Sequence, residues 1–250
     1  MSDWASDYFE RGYAQRWGVL VVSDNVRRHV RSLSERLQLR SGARVLDLGC
    51  GHGRYALAFA ERGAEVVGVD AAGTLLQQAR RLGLEARLPA RWVRGDIRAL
   101  PLRPECCDTA VVMDAFGFFE AEHENERVLF EAARVLAPGG CLVLKVVNGE
   151  AILASFRRAD REERDGVIVT MSRTLISSPV RMIERVSISG SRGNGQYERR
   201  QRLYRADELP AVAKRAGFAT VDVFADADGA LFEPATSPTM WFVAQRAHAV

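Results

Sequence analysis

Nine consecutive residues, Val45-Leu46-Asp47-Leu48-Gly49-Cys50-Gly51-His52-Gly53, constrain this chain more than any other stretch. Residues 44–48 read as a buried strand that runs straight into alternating glycines, and residues 55–61 read as a helix ended by Gly63. A strand that turns through glycines into a helix lets backbone approach a ligand closely and presents the unpaired N–H groups of the helix start. The spacing is G-x-G-x-G, with Arg54 where a dinucleotide fingerprint carries its third glycine, so the match to a nicotinamide or flavin site is imperfect. The Lys-Ser/Thr pair of a triphosphate-binding loop is absent as well.

The alternation continues downstream. Residues 65–70 read as a second strand, 74–81 as a second helix, 91–97 as a short third strand and 108–113 as a fourth, wholly apolar after Thr109. Residues 124–136 read as a helix, Pro138-Gly139-Gly140 as a turn and residues 141–147 as a fifth strand. Strands alternating with helices predict an α/β fold around a mostly parallel sheet, and continuous apolar runs suit strands with helices on both faces. The pattern then changes. Residues 167–170, 181–189 and 197–204 read as antiparallel strands, with a turn over 191–195, followed by a helix over 206–216 and two last strands over 219–224 and 239–245. The expected organisation is an N-terminal helical lid or cap over 1–40 and one domain over 41–250. That domain carries an antiparallel insert over about 157–205, on the substrate side and before the last helix and strands. In the cap, Phe9, Tyr13 and Trp17 recur four apart on one face, and Val26, Val30, Leu33 and Leu37 continue an apolar face.

Three strand ends carry ligand-binding chemistry. The glycine loop ends the first. Asp70 ends the second, twenty-one residues after Gly49, where a carboxylate can accept hydrogen bonds from two ribose hydroxyls. Asp96 ends the third, where it can accept from an exocyclic amine while neighbouring Ile97 packs on a purine face. Ligands of open α/β sheets bind along this edge. With these residues the chain resembles the class I S-adenosylmethionine-dependent methyltransferases, most of all their small-molecule members. Residues 45–53 match the first motif, Asp70 the ribose-binding acid, Asp96 the adenine-proximal acid, and Leu136-Ala137-Pro138-Gly139-Gly140 the turn before the fifth strand. The resemblance covers roughly residues 20–147, with Arg202-Leu203-Tyr204 and Gly217-Phe218 resembling the tail of small-molecule members.

That resemblance implies a Rossmann-like sheet of order 3-2-1-4-5-7-6 with an antiparallel seventh strand, and S-adenosylmethionine as cofactor. It places Asp47 near the methionine end and Met113 and Asp114 beside the cofactor and substrate pocket. The expected cofactor-binding set is Asp47, Gly49, Cys50, Gly51, Gly53, Asp70, Ala71, Asp96, Ile97 and Met113. Asp47 reads equally as an acid that pins the loop, and His52 as a surface loop histidine. Phe9, Tyr13, Trp17, Asp114, Phe116, Phe118 and Tyr204 are the expected substrate-side residues, although aromatics at these places also serve as core. The candidates for moving a proton are His123, Asp114 and Tyr204.

The chain carries 35 Lys and Arg against 32 Asp and Glu, too small an excess to imply a polyanionic partner. Residues 157–205 hold twelve Arg and six acids, which raises a second reading: methylation of RNA, peptide or protein through this insert. Against bases as acceptors, Met113-Asp114-Ala115-Phe116 stands where amino-directed nucleic-acid enzymes of this family carry an Asn/Asp-Pro-Pro-aromatic motif. A third reading is a non-catalytic cofactor-binding interaction domain. The four cysteines lack disulfide or zinc spacing, so no metal is expected. Apolar runs are strand-sized and the first residues are not a secretory signal, so a cytoplasmic location without a membrane span is the expectation. The expected partner is a small molecule taking a methyl group at O or N; nucleic acid is disfavoured and a homodimer is left open.

Overall fold

A computed structural model describes residues 3–17 and 22–248, so residues 1–2 and 18–21 of the expected cap lie outside the described residues. The N-terminal segment is one continuous run: α1 (Asp3–Asp7), a π-helical turn (Tyr8–Gly12) and α2 (Tyr13–Trp17). Helix α3 (Asp24–Arg36) follows, capped by the Ser23 hydroxyl on the Val26 N–H at 3.3 Å.

The core repeats strand and helix: β1 (Arg44–Leu48), α4 (Arg54–Glu61), β2 (Glu65–Asp70), α5 (Gly73–Glu85), β3 (Ala90–Arg94), β4 (Cys107–Met113), α6 (Glu122–Val135) and β5 (Leu136–Val147). After the short α7 (Gly149–Ala154) come four further strands, β6 (Ala159–Arg164), β7 (Val167–Ile176), β8 (Arg181–Gly190) and β9 (Gly195–Arg202). The chain ends with α8 (Glu208–Arg215), β10 (Phe218–Phe224) and β11 (Thr239–Arg246). The main sheet runs β3-β2-β1-β4-β5-β11-β10, with β1 to β5 parallel and β11 antiparallel to both neighbours. This is the expected 3-2-1-4-5-7-6 order.

The apolar strands are explained by two covered faces. Val45, Val66, Val111 and Val143 point to a core shared with α3 and α4. Leu46, Ala110, Val112, Leu142 and Leu144, one residue away, point to a core shared with α6 and α8. The insert is a separate antiparallel sheet, β6-β7-β8-β9, and it is half-buried in the usual alternating way: Val167, Val169, Met171, Val186 and Ile188 share one face. Strand β6 is charged after Ala159 and has no apolar face, so no periodicity announces it.

The N-terminal run lies across both units. Gly12 packs so tightly on the insert that a Cβ there would stand 2.7 Å from the Tyr197 ring. Gln15 accepts from the Tyr197 hydroxyl at 2.7 Å. On the other side Glu10 accepts from the Gly73 and Thr74 N–H groups at 2.8 and 3.0 Å, supplying the N-terminal cap that Ala72 cannot give α5. No described helix is long and apolar enough to cross a membrane.

Candidate active site

The C-terminal ends of β1, β2 and β4 and the residues just after β3 open into a cavity of about 390 Å³, roofed by the N-terminal run and walled on one side by β9. At its floor the glycine loop is tied to β2, because the Gly49 and Cys50 N–H groups both donate to the Val69 carbonyl, at 2.8 and 3.1 Å. Gly49 has φ +71° and a Cβ there would stand 2.4 Å from the Ala115 side chain, so only glycine fits.

Asp70 accepts from the Gly51 N–H at 2.7 Å with one oxygen and from the Ala72 N–H at 2.8 Å with the other. Burial pushes its carboxyl up, opposed by those two hydrogen bonds. Each oxygen keeps a free lone pair for a ribose hydroxyl. Asp96 differs. Its two oxygens are engaged by Arg98, whose Nε lies 3.0 and 3.1 Å away, and this outweighs burial and holds the carboxyl below its ordinary range. Ile97 lies beside it, buried and facing the cavity.

Asp47 is 2 % exposed, and its partner is the Ala56 N–H at 3.0 Å. Burial raises its carboxyl to about 7 against that single hydrogen bond. Asp114 sits beyond β4 at φ +59° and accepts from Arg54 at 3.0 Å and Lys145 at 2.9 Å. Cys50, Ala71 and Met113 complete the expected cofactor wall. Phe9, Tyr13, Trp17 and Phe118 form much of the aromatic roof, with the Phe9 and Phe118 rings edge to face at 5.4 Å.

Four expected residues lie elsewhere. Gly53 turns the chain into α4 at φ +81° and packs under Trp92, away from the cavity. Phe116 and Tyr204 pack on each other at 5.3 Å within the α6 and α8 core. His123 is exposed on the first turn of α6 and does not line the cavity. None of these three side chains is placed to touch a substrate there.

Other residues reach the site without having been anticipated. Tyr8 joins the roof because the π-helical turn bonds the Tyr13 N–H to the Tyr8 carbonyl, five residues back, and brings the two rings edge to face at 6.3 Å. Arg199 and Gln201 project from β9 two residues apart, on one face. His52 is the clearest departure from expectation: it is 2 % exposed, lines the cavity, and neither ring nitrogen has a hydrogen-bond partner. Burial, with Arg54 adding, lowers its pKa to about 4, so the ring is neutral.

The residues present fit S-adenosylmethionine. A ribose-binding acid with lone pairs to spare, an aliphatic base platform and a glycine floor share one cavity, and the two orphaned His52 nitrogens are what a bound polar group would satisfy.

Comparison with known proteins agrees. The family model of a methyltransferase domain matches residues 45–140. The demethylmenaquinone methyltransferase of Thermus thermophilus is 44% identical over 103 residues, 40% of this chain and 46% of that protein. The chain spans about half the length of the curated relatives it matches or less. Among solved structures, the CcbJ methyltransferase of Streptomyces caelestis superposes with a TM-score of 0.79 at 20% identity, covering 98% of this chain and 97% of that one. An amino pentose methyltransferase of Micromonospora echinaspora does so at 0.65 and 23%, covering 94% and 95%. These two likenesses are of fold.

Proposed function

Because residues 45–140 carry a methyltransferase domain and the whole chain takes the class I fold, we propose that it transfers a methyl group from S-adenosylmethionine to a small-molecule acceptor, at oxygen or nitrogen. The observation that carries this reading is the convergence of the glycine loop, Asp70, Asp96 and Asp114 on one roofed cavity.

When bound, the cofactor supplies a methyl carbon made electrophilic by its sulfonium. The chain's own residues do the rest. Asp70 accepts the ribose hydroxyls, and Ile97 packs against the base. Tyr8, Phe9, Tyr13, Trp17 and Phe118 exclude water above the reacting atoms, and alignment of donor with acceptor can be worth several kcal/mol. Asp114 accepts from two cations, Arg54 and Lys145, which fixes its carboxylate for placing groups at the site. Burial pushes the Tyr13 phenol up, so its hydroxyl stays protonated and orients a ligand by hydrogen bonding. An amine or an already ionised phenol needs no base from such a site.

Aromatic rings that share the cavity with the planar side chains of Arg199 and Gln201 suit a ring-bearing acceptor with hydroxyl or amino groups. The amino pentose methyltransferase of similar fold is consistent with that class. The polyanion reading has less support, because the insert's more buried arginines, Arg173, Arg181, Arg199 and Arg202, are already paired with acids. Glu184 takes Arg16, Arg173 and Arg199, and Glu122 takes Arg181 and Arg202.

Titration calorimetry with S-adenosylmethionine tests the cofactor step: wild type binds, and Asp70→Ala weakens binding at least tenfold. Failure of the folded wild type to bind overturns the reading. A metabolite screen with methyl-labelled cofactor then identifies the acceptor by mass. Tight binding without S-adenosylhomocysteine release under any acceptor would favour a non-catalytic binding domain.

A further inference from the structure

We propose that Arg199 and Gln201 of the insert read a carboxylate on the methyl acceptor, so that the substrates are ring-bearing acids that also carry a hydroxyl or amino group. This rests on the small-molecule reading above, and the test is arranged so that the two can fail separately.

The insert has one buried face, and that face changes character along its length. Val167, Val169, Met171, Val186 and Ile188 pack together at one end, with Tyr197 against them. One step further along the same face, strand register sets Arg173, Glu184 and Arg199 side by side on β7, β8 and β9. Met182 and Gln201 form the next pair. The polar stretch falls where β9 walls the cavity, which Arg199 and Gln201 both line. Polar groups on a buried face cost free energy unless they are partnered, so packing alone would favour a continued apolar face.

Glu184 is 1 % exposed and faces three guanidiniums. Arg16 and Arg173 each have a second acid, Glu162 and Asp160. Arg199 has no second acid among the described residues: Glu184 lies 3.1 Å from one of its terminal nitrogens, and its Nε is buried without a partner. Gln201 is 5 % exposed, and its side-chain amide has no hydrogen-bond partner among the described residues. Two planar groups with N–H donors to spare therefore stand two residues apart on one strand face. A guanidinium donates through a flat fork, and a carboxylate offers two oxygens in one plane, so the shapes match. Glu184 holds the guanidinium without filling its remaining donors, which lowers the ordering cost of binding. A neutral carboxamide in the same place loses the charge-assisted part of the contact.

The probes are benzoate and benzamide, which share a ring and a shape and differ in charge. Binding is read by ligand-observed NMR on the whole chain, with and without S-adenosylhomocysteine. Wild type is expected to bind benzoate at least tenfold more tightly than benzamide. Arg199→Met removes the charge and keeps a stem; it should abolish that preference while benzamide affinity changes less than about threefold. Arg199→Lys keeps the charge without the fork and should retain part of the preference, which keeps the test decisive if Arg199→Met does not fold. Gln201→Leu should weaken benzoate severalfold. The acceptor recovered by the labelled-cofactor screen should itself carry a carboxylate.

Equal affinities for the two probes in wild type would overturn the proposal. So would a benzoate preference that survives both Arg199 variants unchanged, absence of benzoate binding, or an acceptor without an acid group. A wild type that binds benzoate through Arg199 but never S-adenosylhomocysteine would overturn the methyl-transfer reading and leave the carboxylate site standing.

Discussion

Replacing Asp47 by Asn should stabilise the ligand-free protein at high pH and forfeit that gain in acid. The carboxyl is 2 % exposed and receives one hydrogen bond, from the Ala56 N–H. Burial, the larger influence, moves it from the ordinary 3.8 to about 7. At ~1.4 kcal/mol per pH unit, ionising Asp47 in the folded protein costs about 4 kcal/mol above pH 7. The folded state binds the proton more tightly than the unfolded state, so wild-type stability falls as pH rises from about 4 to 7 and is level beyond. An Asn carbonyl still accepts from Ala56 and does not titrate. Its buried amide N–H groups cost roughly 1–3 kcal/mol at every pH. The stability difference between variant and wild type should therefore shift by roughly 2–3 kcal/mol between pH 5 and pH 8, in favour of Asn at the higher pH. Urea unfolding of both proteins without ligand, at several pH values across that range, reads the shift directly. A difference that stays constant with pH would refute the reasoning, since only the carboxyl titrates. Cofactor affinity should move the other way: the wild type should bind S-adenosylmethionine more tightly as pH rises towards 7, and Asp47→Asn should bind weakly throughout.

Three further perturbations probe the parts around the cavity. Glu10→Ala removes the acceptor for the Gly73 and Thr74 N–H groups, so the fold should lose about 1 kcal/mol and protease should cut within residues 3–17 sooner; unchanged cleavage would show that Glu10 does not hold the cap. Those hydrogen bonds outweigh burial and keep the Glu10 carboxyl below its ordinary range, so the same loosening should appear in wild type as pH falls through that lowered value. Gly12→Val drives a side chain into the Tyr197 ring, so hydrogen exchange should quicken in residues 3–17 and β9 while β1 to β5 stay protected. Glu184→Gln leaves Arg16, Arg173 and Arg199 without the acid that all three share, and should cost about 3 kcal/mol in chemical unfolding.

The central sheet is legible in the sequence because its strands are buried on both faces and end in residues with distinctive chemistry. Val45-Leu46 and Val111-Val112 have no polar alternation to confuse them with surface, and glycine or aspartate marks where the ligand edge begins. The insert is half legible: β7 alternates, whereas β6 presents Asp160-Arg161-Glu162-Glu163-Arg164, with no apolar residue to set a period. The misplacements at the site have a common origin. Phe116, Tyr204 and His123 follow strands or open helices at places where a substrate contact is plausible, but which way a loop side chain turns depends on tertiary packing. The α6 and α8 core takes the first two, and helix geometry turns His123 to solvent. Tyr8 is not legible in the sequence because a regular helix would turn it away from Tyr13, and the π-helical turn brings the two together.

His52 and Asp47 are the positions where local reasoning says least and the structure says most. Each is a polar group that the ligand-free fold buries at a cost, one as two unpartnered nitrogens and the other as a carboxyl driven towards neutrality. Such groups are what a bound polar ligand would satisfy. Asp47 lies near the end of β1 and His52 within the glycine loop that follows, and both line the cavity at which Arg54 and Asp114 also converge. A ligand whose polar groups meet both would relieve both costs at once. Ligand affinity would then be partly the recovery of stability spent on burying these two groups, so variants that stabilise the free protein at these two positions should be those that bind S-adenosylmethionine least well.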